Sequence, residues 1–155
     1  MSNTHRRSKI DLIDGVVELS HGAGGSAMAT LISEIFYPAF NNDLLLQQND
    51  QAIFNVDAGR LAFATDSFIV SPLFFPGGNI GSLAVNGTIN DIALGGATPL
   101  YLSASFILEE GLPLKNLLTI AKTMGTCAHS AGVKIITGDT KVVERGKAEI
   151  GRAHV

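Results

Sequence analysis

Four carboxylates stand out because their neighbours are wrong for ordinary surface acids. Asp66 interrupts the apolar run LAFATDSFIV, Asp50 immediately precedes AIFNV, and Asp139 follows VKIIT in TGDTK. Asp91 sits in NGTINDIALGG, a stretch built of Gly, Ala, Thr and Asn with no cation beside it. A carboxylate buried without a partner is costly. Carboxylate oxygens are also the ligands that hard cations take, and Mg²⁺ usually shares them with substrate phosphates. Three acids at or near strand ends and one on a small-residue helix therefore suit a metal–phosphate site, provided the fold brings them together. Taken singly, each fits a turn or cap, and Asp91 fits a bond to a neighbouring loop amide.

HGAGGSA is the candidate phosphate loop. A Gly-rich turn before a helix offers free backbone N–H groups and the positive end of the helix dipole. Gly22, Gly24 and Ala27 also match G-x-G-x-x-A, which keeps a dinucleotide-binding alternative open, although PAFNNDLLLQQND stands where its second strand and acid belong. PGGNIGS lacks the Gly-Lys-Ser/Thr of a Walker loop. Lys141, two residues after Asp139, could meet a phosphate as a point charge or be solvated. His21 could contact a ligand or cap a turn. His129 falls on the wet face of a helix, and Cys127 borders that helix's apolar face, where a thiol is inert. No Ser-His-Asp or Cys-His arrangement is legible.

The elements that must position these groups follow from periodicity. GVVELS reads as a short strand. Met28, Leu31, Ile32, Ile35 and Phe36 form one buried helical stripe, which Pro38 is expected to end. AIFNV and LAFATDSFIV, separated by DAGR, predict a β-hairpin. IGSLAVNGTINDIALGGA predicts a helix with Asn79 as N-cap, and it places Ala84, Gly87, Thr88, Asp91 and Gly95 on one face. PLYLSASFIL is a strand. A third helix from Leu114 buries Leu117, Leu118, Ala121, Met124 and Ala128 and stops at Gly132, and VKIITGD is a last strand. The sum is an α+β domain, a mixed sheet with helices on one face.

At 155 residues the chain has room for one domain with a real core. Its 46% hydrophobic and 16% charged residues exclude a disordered sequence, and no apolar run has the roughly 20 residues of a membrane helix. The polar, basic start MSNTHRRSKI lacks the apolar core of a signal peptide, so a cytoplasmic protein is expected. A net charge of -3 without basic clusters past Arg7 argues against nucleic acid as main partner. One cysteine excludes an internal disulfide or a cysteine-built zinc site. Residues 1–14 are expected to be a flexible tail and 15–148 the domain. The end, EIGRAHV, back-translates as GAG ATC GGA AGA GCA CAC GTC, which looks like the start of a sequencing adaptor. Residues 149–155 are therefore expected to be read-through, with Arg152 and His154 meaningless and the natural protein continuing past Ala148.

Three stretches, ELSHGAGGSAM, the long run from TDSFIV to EEGLP, and TGDTKVVERG, resemble the HypE family of hydrogenase maturation factors. These are ATP-dependent carbamoyl dehydratases of the superfamily of aminoimidazole ribonucleotide synthetase, selenophosphate synthetase and thiamine monophosphate kinase. The selenophosphate branch fits less well, because SHGAGG carries no Cys. The resemblance implies a PurM-like N-terminal ATP-binding domain whose sheet joins a partner's into a barrel across a homodimer. It implies Mg²⁺ held at Asp50, Asp66 and Asp91. It implies ATP contacts at His21, Gly22, Gly24, Gly25, Thr65, Asn90, Gly138, Asp139, Thr140 and Lys141. In the family, ATP activates the oxygen of a thiocarboxamide on the protein's own C-terminal cysteine, leaving a thiocyanate that supplies cyanide to the iron of [NiFe] hydrogenase. The carbamoyltransferase HypF and the HypC–HypD complex are the implied partners. The second domain and the tail cysteine are missing here, so Cys127 is not the acceptor, and a non-catalytic dimerisation or binding module is the alternative.

Overall fold

The computed structural model describes residues 10–47, 52–55, 59–146 and 152–154. Its central sheet has four strands in the order β1-β6-β4-β5: β1 (Ser67–Phe68), β6 (Arg152–His154), β4 (Tyr101–Glu109) and β5 (Lys134–Val143). β4 and β5 run parallel, while β6 is antiparallel to both of its neighbours, so the sheet is mixed as expected. A two-stranded ribbon, β2 (Phe74–Phe75) and β3 (Gly78–Asn79), leads into the helix α3 (Ile80–Leu94). The parallel crossover from β4 to β5 is made by α4 (Leu114–Ser130).

Alternation in β4 sets the layers. Leu102, Ala104, Phe106 and Leu108 are buried toward the helices, whereas Ser103, Ser105 and Ile107 belong to the other face. Leu114, Leu117, Ala121, Met124 and Ala128 form the buried stripe of α4, as their spacing predicts, and Gly132 closes it at φ +70. Where α3 and α4 cross, a Cβ on Gly81 would stand 2.6 Å from the Ile120 carbonyl oxygen. Glycine is what permits that approach.

Asn79 caps α3 as expected. Its Oδ1 accepts from the N–H groups of Gly81 at 2.8 Å and Ser82 at 3.3 Å, and Ser82 Oγ accepts from the Asn79 N–H. Asn79 Nδ2 also donates to Thr123 Oγ1 of α4 at 2.9 Å, so one side chain both starts α3 and ties it to its neighbour.

Three expectations are corrected. GVVELS is not a strand: Val16 makes one isolated bridge to Pro113, and Leu19–His21 is a 3-10 turn. Main-chain bonds from Val17 to Leu112, Gly111 to Val17 and Leu114 to Gly15 make residues 15–17 a strap, with Ile10 and Leu12 packed on the core. Nor does Pro38 end its helix. After α1 (Gly25–Leu31) comes a π turn, Ile32–Phe36, in which the Tyr37 N–H donates to the Ile32 carbonyl, and α2 (Tyr37–Phe40) follows. That extra residue widens the helix just where the proline ring would strike the preceding turn.

The hairpin is not formed among the described residues. Residues 52–55 and 60–66 carry no ladder, and only Ser67–Phe68 joins the sheet. Residues 152–154, left out of the expected fold, pair between β1 and β4. An antiparallel ladder needs only main-chain N–H and C=O groups, which any sequence supplies.

Candidate functional site

Asp91 lies in the last turns of α3, and the small-residue face that carries it is occupied. A Cβ on Gly87 would stand 2.6 Å from Cε1 of Phe68, so the β1 phenyl ring rests directly on the helix backbone. Ala84 and Thr88 are buried beside it, with the Thr88 hydroxyl donating to the Ala84 carbonyl. Seating Phe68 there carries Asp66, two residues earlier, beside Asp91. The nearby Asp91 carboxyl, which favours a proton on Asp66, together with desolvation raises the Asp66 pKa above its ordinary value. No Lys or Arg among the described residues pairs with either acid. Two carboxyl groups without a cation, close enough to share a proton, are the donor chemistry a hard divalent ion takes. Asp50 lies outside the described residues. Among those described, no three His, Cys, Asp or Glu side chains converge.

The glycine loop and the TGDTK strand meet elsewhere. A Cβ on Gly22 would collide with the main-chain nitrogen of Val142, so the loop packs onto β5 immediately after Thr140 and Lys141. Gly24 (φ +82) and Gly25 (φ +76) take conformations that favour glycine, with open space where a Cβ would lie. His21 is buried, and its Nδ1 accepts the Glu18 N–H at 2.9 Å. A backbone N–H can only donate, so the ring proton is on Nε2. Asp139 Oδ1 accepts from Lys141 Nζ and from the Thr140 N–H, both at 2.9 Å.

The three described acids, Asp66, Asp91 and Asp139, thus do not form one cluster. Ser67 pairs with His154, His154 with Ser105 and Ser105 with Asp139, one row across the sheet. At strand spacings near 4.8 Å, Asp139 lies about 14 Å from the Asp66 end of that row. Thr65 and Asn90 are exposed next to Asp66 and Asp91 in sequence, on that same side of the sheet. His21, Gly22 and Gly138 to Lys141 are on the β5 side. His129 is exposed and Cys127 packs against the core, as their helical positions predict.

One feature escaped the sequence. A cavity of about 470 Å³ lies on the helix side of β4 and β5, walled by Met28, Ile32, Phe36, Tyr37, Phe40, Leu45, Ala104 and Phe106 and edged by residues 137 to 140. The only signal for it is the apolar stripe from Met28 to Phe36, which reads as core and in part is core.

Residues 48–151, more than half of the chain, match the N-terminal domain of the AIR synthase related proteins. The chain belongs to this family. The dinucleotide-fold alternative is thereby excluded, in keeping with the missing strand before HGAGG. Within the AIR synthase related proteins, the chain is homologous to carbamoyl dehydratase HypE. It is 63% identical over 143 residues to that of Rhizobium leguminosarum bv. viciae, covering 92% of this chain and 41% of the relative. A crystal structure of hydrogenase maturation protein HypE in complex with ATP superposes with a TM-score of 0.85 at 49% identity, over 88% of this chain and 40% of that one. A crystal structure of the HypE–HypF complex matches at TM-score 0.58 and 48% identity, over 80% of this chain and 40% of that one. The chain therefore spans about two fifths of the length of these relatives.

Proposed function

We propose that this chain is the ATP-binding part of a carbamoyl dehydratase serving [NiFe] hydrogenase maturation. The carrying observation is the Asp66–Asp91 carboxyl pair, brought together by Phe68 on Gly87, with no Lys or Arg paired to it among the described residues. Its donor set fits Mg²⁺, with Asp50 as third ligand. Support also comes from the homologous HypE structure that contains ATP.

In this reading His21, Gly22, Gly24, Gly25, Gly138, Asp139, Thr140 and Lys141 hold the nucleotide from the β5 side, and Thr65 and Asn90 from the Asp66 side. The open glycines present main-chain N–H groups to phosphate oxygens, and Lys141, tethered by Asp139, adds a point charge. ATP supplies phosphoryl activation of a thiocarboxamide oxygen. The acceptor cysteine belongs to the remaining part of the protein, not to Cys127, so the chain alone is a binding half without turnover.

The protein acts as a homodimer in which two sheets close into a barrel. Exposed Phe63 (94%), Leu61 and Ile69 leading into and out of β1 favour such a partner surface. HypF delivers the carbamoyl group, in line with the HypE–HypF complex among the homologous structures, and HypC–HypD receives the product. Cytoplasmic placement accords with the absence, among the described residues, of a helix long and apolar enough to cross a membrane.

Calorimetric titration with Mg²⁺-ATP tests the proposal. Saturable heat is expected from the parent and a clear loss of affinity from Asp91→Asn at unchanged thermal stability. Parent-like binding by Asp91→Asn would make Asp91 structural. No heat from a folded parent would favour the non-catalytic dimerisation module.

A further inference from the structure

We infer that the pocket where β4 and β5 end captures a peptide carboxylate standing next to an apolar side chain, an assignment independent of the nucleotide reading. Two of the stretches that carry the family resemblance end there. EEG, from the run closing in EEGLP, and ERG, from TGDTKVVERG, supply none of the nucleotide contacts, yet the pairing of Glu109 with Val143 brings them together. Between them lies a cavity of about 260 Å³ walled by Leu73, Glu109, Glu110, Gly111, Leu112 and Arg145. Sites for drug-sized ligands measure roughly 300–1,000 Å³, so this one suits a single residue of a chain.

Arg145 is the group that calls for a ligand. Its guanidinium lies against Gly111, where a Cβ would stand 3.0 Å from Cζ and collide with Nη2, so glycine is what leaves it that place. Arg145 is exposed, and nothing among the described residues accepts a bond from it. Glu109 is engaged otherwise: its Oε1 accepts the Gly146 N–H and holds the turn that carries Arg145. The Glu110 carboxylate has no partner among the described residues. A guanidinium fork takes a carboxylate through two parallel N–H···O bonds. A carboxylate beside that fork accepts an amide N–H and repels a more highly charged anion such as phosphate. Leu73 and Leu112 add an apolar wall, and fork, acceptor and wall together complement a peptide residue that carries a carboxylate. The frame is preformed, which lowers the cost of binding. Glu110 N–H donates to the Val143 carbonyl at 2.9 Å, Gly111 N–H to Val17 at 2.8 Å and Leu112 N–H to Glu109 at 3.1 Å.

¹⁵N spectra of the chain test this, with the Arg145 Nε–H and the Gly111 amide as reporters and Arg145→Lys for assignment. The probes are N-acetyl-leucine, which has a terminal carboxylate, and N-acetyl-aspartyl-leucinamide, which has one on a side chain. The controls are N-acetyl-leucinamide, which has none, and inorganic phosphate. At least one probe is expected to shift both reporters saturably, with a Kd on the order of 1 mM for so small a ligand, and to leave Gly24 and Gly25 unmoved. A response to N-acetyl-leucine alone assigns the pocket to a chain end, and one to the aspartyl peptide alone to an acidic side chain. A response to both supports recognition of the carboxylate from either source. Arg145→Lys, which keeps the charge and loses the fork, is expected to weaken binding about three- to tenfold at the Gly111 amide, and Arg145→Gln to abolish it. Three results would overturn the assignment: no saturable shift from either probe in the folded chain, an equal response to a control, or parent-like binding by both variants.

Discussion

Replacing Asn79 by alanine tests how the domain sets the helix that carries Asp91. Asn79 is 6% exposed and does two jobs: its Oδ1 caps α3, and its Nδ2 bonds Thr123 of α4. Loss of an N-cap costs about 1 kcal/mol. Loss of one further net hydrogen bond costs another ~1 kcal/mol. A total of about 2 kcal/mol corresponds, for a chain of this size, to a Tm lower by roughly 4–8 °C. Asn79→Asp keeps both accepted bonds and favours the helix dipole, and it gives up only the donor to Thr123. Thr123 can turn its own hydroxyl, which now donates to the Thr119 carbonyl, toward the new carboxylate. The aspartate variant should therefore lose less than half as much as alanine. Urea unfolding of the three proteins gives the comparison, with midpoints shifting at unchanged slope. An alanine variant within about 0.5 kcal/mol of the parent would refute the accounting, since surface changes without consequence fall in that range. So would an aspartate variant as unstable as alanine, which would put the weight on the Thr123 bond instead of the cap.

Other perturbations read other parts of the site. A Cβ on Gly138 would run into the Ala104 carbonyl of β4 near the β4–β5 register shift, so Gly138→Ala should cost about 1–3 kcal/mol in thermal unfolding; a neutral outcome would contradict the close approach. The raised pKa of Asp66 sets a pH dependence of definite sign. A carboxyl that binds its proton more tightly when folded adds stability fully present below its unfolded value and lost as pH rises through the raised folded value. The metal-free chain should therefore lose stability over that interval, Mg²⁺ should reduce the loss, and Asp66→Asn should abolish it. A Tm–pH profile unchanged in Asp66→Asn would show that the pair does not govern it.

What the sequence made legible was whatever local chemistry decides. The Asn79 cap, the α4 stripe from Leu114 to Ala128, the Gly132 stop and strand β4 follow from spacing alone, because each satisfies its own backbone or buries its own face. The misplaced pieces depend on distant partners. GVVELS has strand-like composition, but the long-range main-chain bonds of residues 15–17 go to residues 111–114 and make a strap. Pro38 looked terminal because a π turn five residues long cannot be read from composition. Asp66 and Asp91 were legible as candidates, whereas the contact that joins them, Phe68 on Gly87, is tertiary. Thr140 was named as an ATP contact through the resemblance alone; its orientation away from Asp139 follows from strand alternation once the register is known.

The distance between the two halves of the site raises the question of how one ligand uses both. Mg²⁺ binds oxygens at about 2.0–2.1 Å, so no single ion touches Asp66 and Asp139 across some 14 Å of one sheet. Under the proposed homodimer a two-fold axis offers another geometry, in which Asp66 and Asp91 of one protomer face Asp139 and Lys141 of its partner. Mixing separates the two arrangements. Asp91→Asn and Asp139→Asn are each expected to bind Mg²⁺-ATP poorly. If sites are shared between protomers, a heterodimer of the two variants carries one site with both defects and one with neither, and co-refolding restores part of the parent's capacity. If each site belongs to one chain, every site in the mixture keeps one defect and nothing is recovered. Recovery on mixing, at a sedimentation mass unchanged from the parent dimer, would fix the shared arrangement; its absence, with heterodimers confirmed by differential tagging, would confine the ligand to a single sheet.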